Sequence, residues 1–253
     1  MPLPRVLAGI TVEPGRPRLT WYDADERVEL SGHVLDNWVT KTANLLVEEY
    51  QSGPGTCVLL DLPVHWRAVV WAMATWRVGG CVVLPGEEHS GCDVVVTDRP
   101  EGFRGTEVVA VALPVLARRF EGALPPGALD AAGAVMTYGD VLTWMPEPDT
   151  LAPALVAGGL VVSHAGLLAW AADSSGGVTA DDDGAPRVLL EPASDGDRSV
   201  VLASTLARVL AVYVADGSVV LCSPQEAASL AEDPARRQRL IDGELVNAST
   251  GSG

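Results

Sequence analysis

At 253 residues, 48% of them hydrophobic, the chain has enough apolar content for one large domain or two small ones. Its net charge is −16, with one Lys and sixteen Arg against 33 acidic residues. That balance excludes a generic nucleic-acid surface, which needs clustered cations.

In chain order, Arg18–Tyr22 and Arg27–Leu30 read as a hairpin around Asp23-Ala24-Asp25. No secretory leader is visible at Met1-Pro2-Leu3-Pro4-Arg5, so a cytoplasmic protein is expected. Ser31 is placed to cap a helix reaching Tyr50, with Val34, Leu35, Trp38, Leu45 and Leu46 as its apolar stripe. Cys57–Leu62 is a short apolar strand. Pro63 cannot continue it but can open a helix. From Val64 the apolar period becomes helical. Trp66, Val69, Val70, Met73 and Trp76 share one face, with Arg67 and Arg77 off it. Gly79-Gly80 ends that helix and Cys81–Leu84 is the next strand. Gly53–Pro85 is therefore a βαβ unit, which calls for a parallel sheet covered on both faces. Trp66, Trp71 and Trp76 are expected to pack the core.

Asp93–Thr97 is a third strand. Only the eight residues Pro85–Cys92 precede it, too few for a helical crossover, so the connection is a single turn or the strand lies elsewhere in the sheet. Glu107–Ala112 reads as a fourth strand, Pro114–Phe120 as a short helix and Glu121–Asp130 as a Pro/Gly-rich loop. Ala154–Ala157 and Leu160–Val162 flank Gly158-Gly159, a hairpin signal. Ser163 can then cap a helix over Ala165–Ala172. The 22 residues Leu151–Ala172 carry no formal charge and are long enough to cross a bilayer. Pro153, Gly158-Gly159 and Ser163-His164 interrupt them and no basic cluster flanks them, so a buried soluble segment is expected instead. Asp173–Pro186 reads as an exposed loop. Its Asp181-Asp182-Asp183 run lacks the spaced ligands of an EF-hand. A strand at Val188–Leu190, a deeply buried helix at Ser199–Ala215 and a strand at Val219–Cys222 follow. Ser223-Pro224-Gln225-Glu226 is a capping box with Pro at the first helical position. Another helix follows Pro234, and Asn247–Gly253 is expected to be a mobile tail. The fold class is α/β with a mostly parallel sheet covered by helices. A βαβ-containing subdomain is expected over 1–150 and a second, partial α/β subdomain over 151–253.

Four scattered cysteines without a C-x-x-C pair suggest small buried thiols rather than a disulfide or zinc site. His33, His65, His89 and His164 show no metal-binding spacing, so no metal is expected. There is no G-x-S-x-G elbow. Gly53-Pro54-Gly55 precedes a strand, whereas a dinucleotide fingerprint follows one.

In this order the elements resemble the N-terminal part of the adenylate-forming superfamily, which includes acyl-CoA synthetases, luciferases and peptide-synthetase adenylation domains. Val34–Glu48 resembles the family's first helix, and Pro54–Leu60 its first strand. Trp66–Pro85 resembles the helix, Gly-Gly turn and strand that follow, and Asp93–Asp98 (DVVVTD) the next strand. Val161–Leu168 (VVSHAGLL) resembles the family's "GVvlSHrnLl", and Val200–Cys222 its later helix and strand. The resemblance implies that family's N-terminal fold in incomplete form. It also exposes departures. The family's phosphate loop, T-S-G-T-T-G-x-P-K-G, stands just before "vlSH". Here the equivalent place is Val156-Ala157-Gly158-Gly159-Leu160, without the hydroxyls, the Pro-Lys or most of the length. The family's later Y-G-x-T-E motif and the C-terminal domain with its catalytic Lys have no counterpart. Lys41, in the first helix, is no substitute.

The resemblance therefore implies a non-catalytic relative with no cofactor. Such a protein would bind a partner protein or a small acyl or nucleotide ligand in a vestigial cleft, with Gly158, Gly159, Ser163 and His164 as the candidate ligand-binding residues. One alternative is half of a split acyl-activating enzyme completed by a second polypeptide. Another is a soluble nucleotide or acyl-CoA sensor.

Overall fold

The computed structural model describes residues 3–24, 26–86, 91–104, 106–142, 147, 149–180 and 184–250. Its elements in the first half of the chain are α1 (Leu3–Ile10), β1 (Pro17–Asp23), β2 (Glu26–Ser31), α2 (Gly32–Tyr50), β3 (Cys57–Asp61), α3 (Trp66–Arg77), β4 (Cys81–Val83), β5 (Val94–Thr97) and β6 (Glu107–Ala110). There follow β7 (Leu129–Asp130), α4 (Ala131–Ala134), β8 (Pro153–Ala157), β9 (Leu160–Ser163), α5 (Leu167–Ser175), β10 (Val178–Ala180) and β11 (Arg187–Leu190). The chain closes with α6 (Arg198–Val214), β12 (Ser218–Cys222), α7 (Pro224–Glu232), α8 (Pro234–Gly243) and β13 (Ala248–Thr250).

These elements form two compact units that are interleaved along the chain. The first comprises Met1–Asp36, Val64–Trp66 and Leu168–Gly253, the second Asn37–Pro63 and Arg67–Leu167. The division expected after residue 150 falls inside the second unit. Strand pairing decides membership: β8 pairs with β4, and β1 pairs with β12 nearly two hundred residues away.

The first unit holds a sheet of order β10-β13-β11-β12-β1-β2. Its inner strands run parallel, with β2 and β10 antiparallel at the edges. Helix α6 buries Leu202, Leu206 and Leu210, as its spacing predicts, and Asp197 caps it by accepting from the Ser199 and Val200 N–H groups. Ser223 caps α7 through the Glu226 N–H at 3.0 Å. The reciprocal half of the capping box is replaced, because the buried Glu226 carboxylate pairs with Arg236 at 2.6 Å. Two expectations fail here. Val178–Ala180, read as loop, and Ala248–Thr250, read as mobile tail, are strands paired with each other. Three-residue strands carry no periodicity of their own; their partner imposes the extended conformation.

The second unit holds a sheet of order β7-β6-β5-β3-β4-β8-β9, parallel except for the β8/β9 hairpin. Strand β5 lies beside β3 on the side away from β4, so of the two placements the sequence left open, the third strand lies elsewhere in the sheet. All of β4 and β5 is buried, as parallel strands covered on both faces should be. Every residue from Trp66 to Trp76 is buried too. Arg67, expected off the apolar stripe, lays its guanidinium over the Trp38 ring at 5.4 Å. Arg77 donates to the Thr40 hydroxyl at 2.9 Å. Pro114–Phe120 is not a helix but a run of turns. Seven residues are too few to hold a helix unaided, and Leu116, which would have to pack it down, is 89% exposed. Among the described residues no helix is long and apolar enough to cross a membrane.

Candidate functional site

In the second unit, β4 and β5 leave β3 in opposite directions, which makes the carboxyl ends of β3 and β5 a topological switch point. Asp61 stands at that end of β3. It is buried, accepting from the Thr97 hydroxyl at 2.8 Å and from Arg99 at 2.9 Å. One strand further along, the ends of β5 and β6 open into a cleft of about 570 Å³ lined by Asp98, Val111, Leu113, Leu116, Arg119 and Phe120. The walls are largely apolar, with one cation, Arg119, and two acids, Asp98 and Glu121, among the lining groups, which suits a small molecule with an apolar body and a polar head. Sequence reasoning did not name these residues. The available signal was Asp61 itself, a carboxylate closing the first strand of a βαβ unit.

The four sequence candidates lie on the β8/β9 hairpin and do not converge on that cleft's lining. Gly158 and Gly159 are its exposed two-residue tip, with φ of +55° and +81°. Both angles are positive, as a tight hairpin turn with the twist of its strands requires. Ser163 and His164 lie at the other end of β9. The Ser163 hydroxyl accepts from the Gly166 N–H at 3.2 Å, closing the turn before α5. His164 Nε2 lies 3.1 Å from the Gly79 carbonyl, so Nε2 carries the proton and donates. Burial holds the imidazole below its ordinary pKa, against the opposing pull of the Gly79 and Gly80 backbone, and the ring is neutral at pH 7. Lys41 donates to the Tyr138 carbonyl within the second unit.

The cysteine expectation needs correction. Cys57 and Cys92 form a disulfide, their Cα atoms 4.8 Å apart, while Cys81 and Cys222 are free and buried. The β3/β5 register, Val58 against Val94, is what brings the pair together, and spacing alone could not show it. Burial pushes the Cys81 thiol up to about 11, so it is no ready nucleophile. His65 packs against Trp21, ring centres 4.6 Å apart, while His89 lies outside the described residues. Among the described residues no cluster of His, Cys, Asp and Glu could hold a metal ion.

The first unit holds a polar network centred on Glu244. Its buried carboxylate accepts from Tyr22 at 2.5 Å, from Arg27 at 2.9 Å and from Arg187. Arg187 Nη2 also donates to Thr20 at 3.0 Å. Burial raises the Glu244 pKa, but the three hydrogen bonds together outweigh it and hold the carboxyl below its usual value. A depressed folded pKa contributes stability that is present above the unfolded value and lost as pH falls through the folded one. Wild-type protein is therefore expected to lose stability as pH drops below about 4.5. Glu244→Gln should be less stable at pH 7, by about 3–5 kcal/mol for a broken buried pair, and should show a shallower acid dependence. Urea midpoints measured across pH 3–7 test this, and parallel curves for the two proteins would refute it.

No family model matches the sequence. A curated protein from Mycobacterium tuberculosis, named "TIGR03089 family protein", is 31% identical over 265 residues, covering 97% of this chain and 98% of that protein. Among solved structures, Brucella canis acyl-CoA synthetase is similar with a TM-score of 0.69 at 17% identity, over 94% of this chain and 46% of that one. A fatty acyl-adenylate ligase from L. pneumophila, in complex with acyl adenylate and pyrophosphate, gives 0.63 at 14% identity over 95% and 42%. Acetoacetyl-CoA synthetase from Streptomyces lividans gives 0.64 at 18% identity over 87% and 38%. The chain spans less than half the length of each of these structures.

Proposed function

We infer the function from one premise: the chain belongs to the TIGR03089 family. It also has the α/β fold of the N-terminal domains of adenylate-forming enzymes. We propose a non-catalytic relative of those enzymes that binds a partner protein or a small acyl or nucleotide ligand. The observation carrying this reading is the exposed Gly158-Gly159 turn, which the sequence resemblance sets against that family's phosphate loop. Two glycines supply neither the row of N–H groups, nor the hydroxyls, nor the Lys that phosphoryl chemistry uses. The chain's one lysine is engaged with Tyr138 instead. Ser163 and His164 remain candidate ligand contacts beside their packing roles, and the cleft beside Asp98 and Arg119 is a roomier place for an apolar group.

The purified chain is expected to show no ATP-dependent pyrophosphate exchange and no hydroxamate formation across a broad carboxylate panel. Clear turnover would overturn the reading. Thermal-shift measurements with ATP, AMP, CoA and acyl-CoA separate its two branches, because a ligand that binds only the folded state raises the melting temperature.

A second reading, half of a split acyl-activating enzyme, is favoured by one observation: the chain matches only 38–46% of the solved enzymes' lengths. It requires a separate polypeptide that restores pyrophosphate exchange on mixing.

A further inference from the structure

A second cleft, of about 370 Å³, lies in the first unit at the amino ends of β1, β11 and β12, where Pro17, Arg187 and Ser218 line it. Nucleotide crevices of α/β sheets form at the opposite, carboxyl ends of the strands. The wall also carries Arg16, from the segment before β1, and Arg27, from β2. Three guanidinium groups therefore line one small cleft of a chain whose net charge is −16.

The three are not equivalent. Arg187 is 14% exposed and fully engaged with Thr20, Ser218 and Glu244. Arg16 and Arg27 are held on one side and open on the other. Arg16 hydrogen-bonds through Nη1 alone, to Glu13 at 3.2 Å, with the Asp216 carboxylate 3.5 Å from the same nitrogen. Arg27 places Nε on Tyr22 and Glu244, and Nη2 on Glu29 and Glu244. Among the described residues, nothing accepts from Arg16 Nε and Nη2 or from Arg27 Nη1. Each guanidinium has one N–H on Nε and two on each Nη, so three donors on Arg16 and two on Arg27 are open. Acceptors in the lining are fewer. Both Glu244 oxygens are taken, and of Glu29 only Oε1 is without a donor.

A wall rich in charged donors selects a compact anion rich in acceptors. A carboxylate has two oxygens, which a single guanidinium fork satisfies. A phosphate monoester has three, with close to two charges at pH 7, enough to engage two arginines from separate segments. Glu29 Oε1 is placed to accept from a hydroxyl on the organic part. Leu245 also lines the cleft, 77% exposed and with φ of +52°, where glycine is the usual residue, and gives that part a carbon surface. We propose that this cleft binds a small hydroxylated phosphate monoester, such as a sugar phosphate, with its phosphoryl oxygens on Arg16 and Arg27 and its body against Glu29 and Leu245.

Calorimetric titration of the full chain at fixed ionic strength, with ribose 5-phosphate, inorganic phosphate and succinate, tests this. Ribose 5-phosphate should bind one per chain with a Kd below about 1 mM, and more tightly than either of the others. Arg16→Gln should weaken it by about tenfold or more, the size of a hydrogen bond to a charged group, with melting unchanged. If that variant does not fold, Arg16→Lys keeps the charge beside Glu13 and Asp216, removes the fork and should also weaken binding. The proposal is overturned if ribose 5-phosphate does not bind, if inorganic phosphate or succinate binds as tightly, or if the folded Arg16 variant binds it like wild type. Every residue of this cleft belongs to the first unit and none of these outcomes bears on ATP chemistry, so this site and the non-catalytic reading stand or fall separately.

Discussion

Replacing Arg18 with methionine is expected to cost about 3–5 kcal/mol, the usual consequence of breaking a buried charged network by removing one partner. Arg18 is 1% exposed. Its guanidinium donates to the Gly9 and Ile10 carbonyls at the end of α1, at 3.2 and 3.1 Å, and to the Asp216 and Gly217 carbonyls before β12, at 2.8 and 3.1 Å. It also pairs with the Asp216 carboxylate at 2.7 Å. One side chain thus ties the N-terminal helix to a turn some two hundred residues later. The Ile10 carbonyl has little freedom to seek another partner, because a Cβ on the neighbouring Gly32 would lie only 2.1 Å from it. Methionine keeps the bulk and removes this donor from four carbonyls, of which the Gly9 carbonyl keeps the Val12 N–H. Lysine retains the charge but lacks the planar fork, so Arg18→Lys should recover only part of the loss. Urea unfolding measures both variants. An Arg18→Met loss below about 1 kcal/mol, the size of an ordinary surface change, would show that the carbonyls find water instead.

Trp76→Ala should destabilise the second unit by about 3–5 kcal/mol, from lost burial and the cavity left behind. The indole is buried on α3, and its N–H donates to the Ala154 carbonyl of β8 at 2.7 Å. The variant therefore also strands a buried acceptor. Trp76→Phe, which fills most of the space and cannot donate, isolates that second part and should cost about 1–3 kcal/mol. Equal losses for the two variants would assign the whole effect to the hydrogen bond. A loss for Trp76→Ala no larger than that of an exposed residue would contradict the burial of α3. Neither variant is expected to create or remove a ligand response directly, because Trp76 is absent from the lining of the 570 Å³ cleft.

Much of the architecture was legible because its signals are local. Pro63, the helical spacing from Trp66 to Trp76 and Gly79-Gly80 announce a strand, a helix and a second strand, and α3 and β4 stand where that pattern puts them. Ser31 contacts the Val34 N–H at 3.4 Å, and Ser223 caps α7, as their positions before apolar runs imply. The misses have two causes. The first helix, Leu3–Ile10, buries Leu3, Val6, Leu7 and Ile10 at helical spacing, a local signal that the reading of this stretch passed over. Strands β10 and β13 exist through each other, and the Cys57–Cys92 pair exists through strand order. Of the candidate site, the turn glycines were legible because positive φ selects their residue type. The cleft beside Asp98 was not, since its lining combines the end of one strand with the loop that follows another.

The sequence by itself determined the α/β class, the central βαβ unit, the sharp Gly158-Gly159 turn and the net charge of −16. Each rests on residue type and near-neighbour spacing. Tertiary structure alone decided that β5 flanks β3 opposite β4, that segments far apart in sequence share one unit, and that Glu244 gathers Tyr22, Arg27 and Arg187. The reason is physical: strand order and buried charge networks are chosen by burial and pairing summed over the whole chain, and no short window of sequence contains that sum.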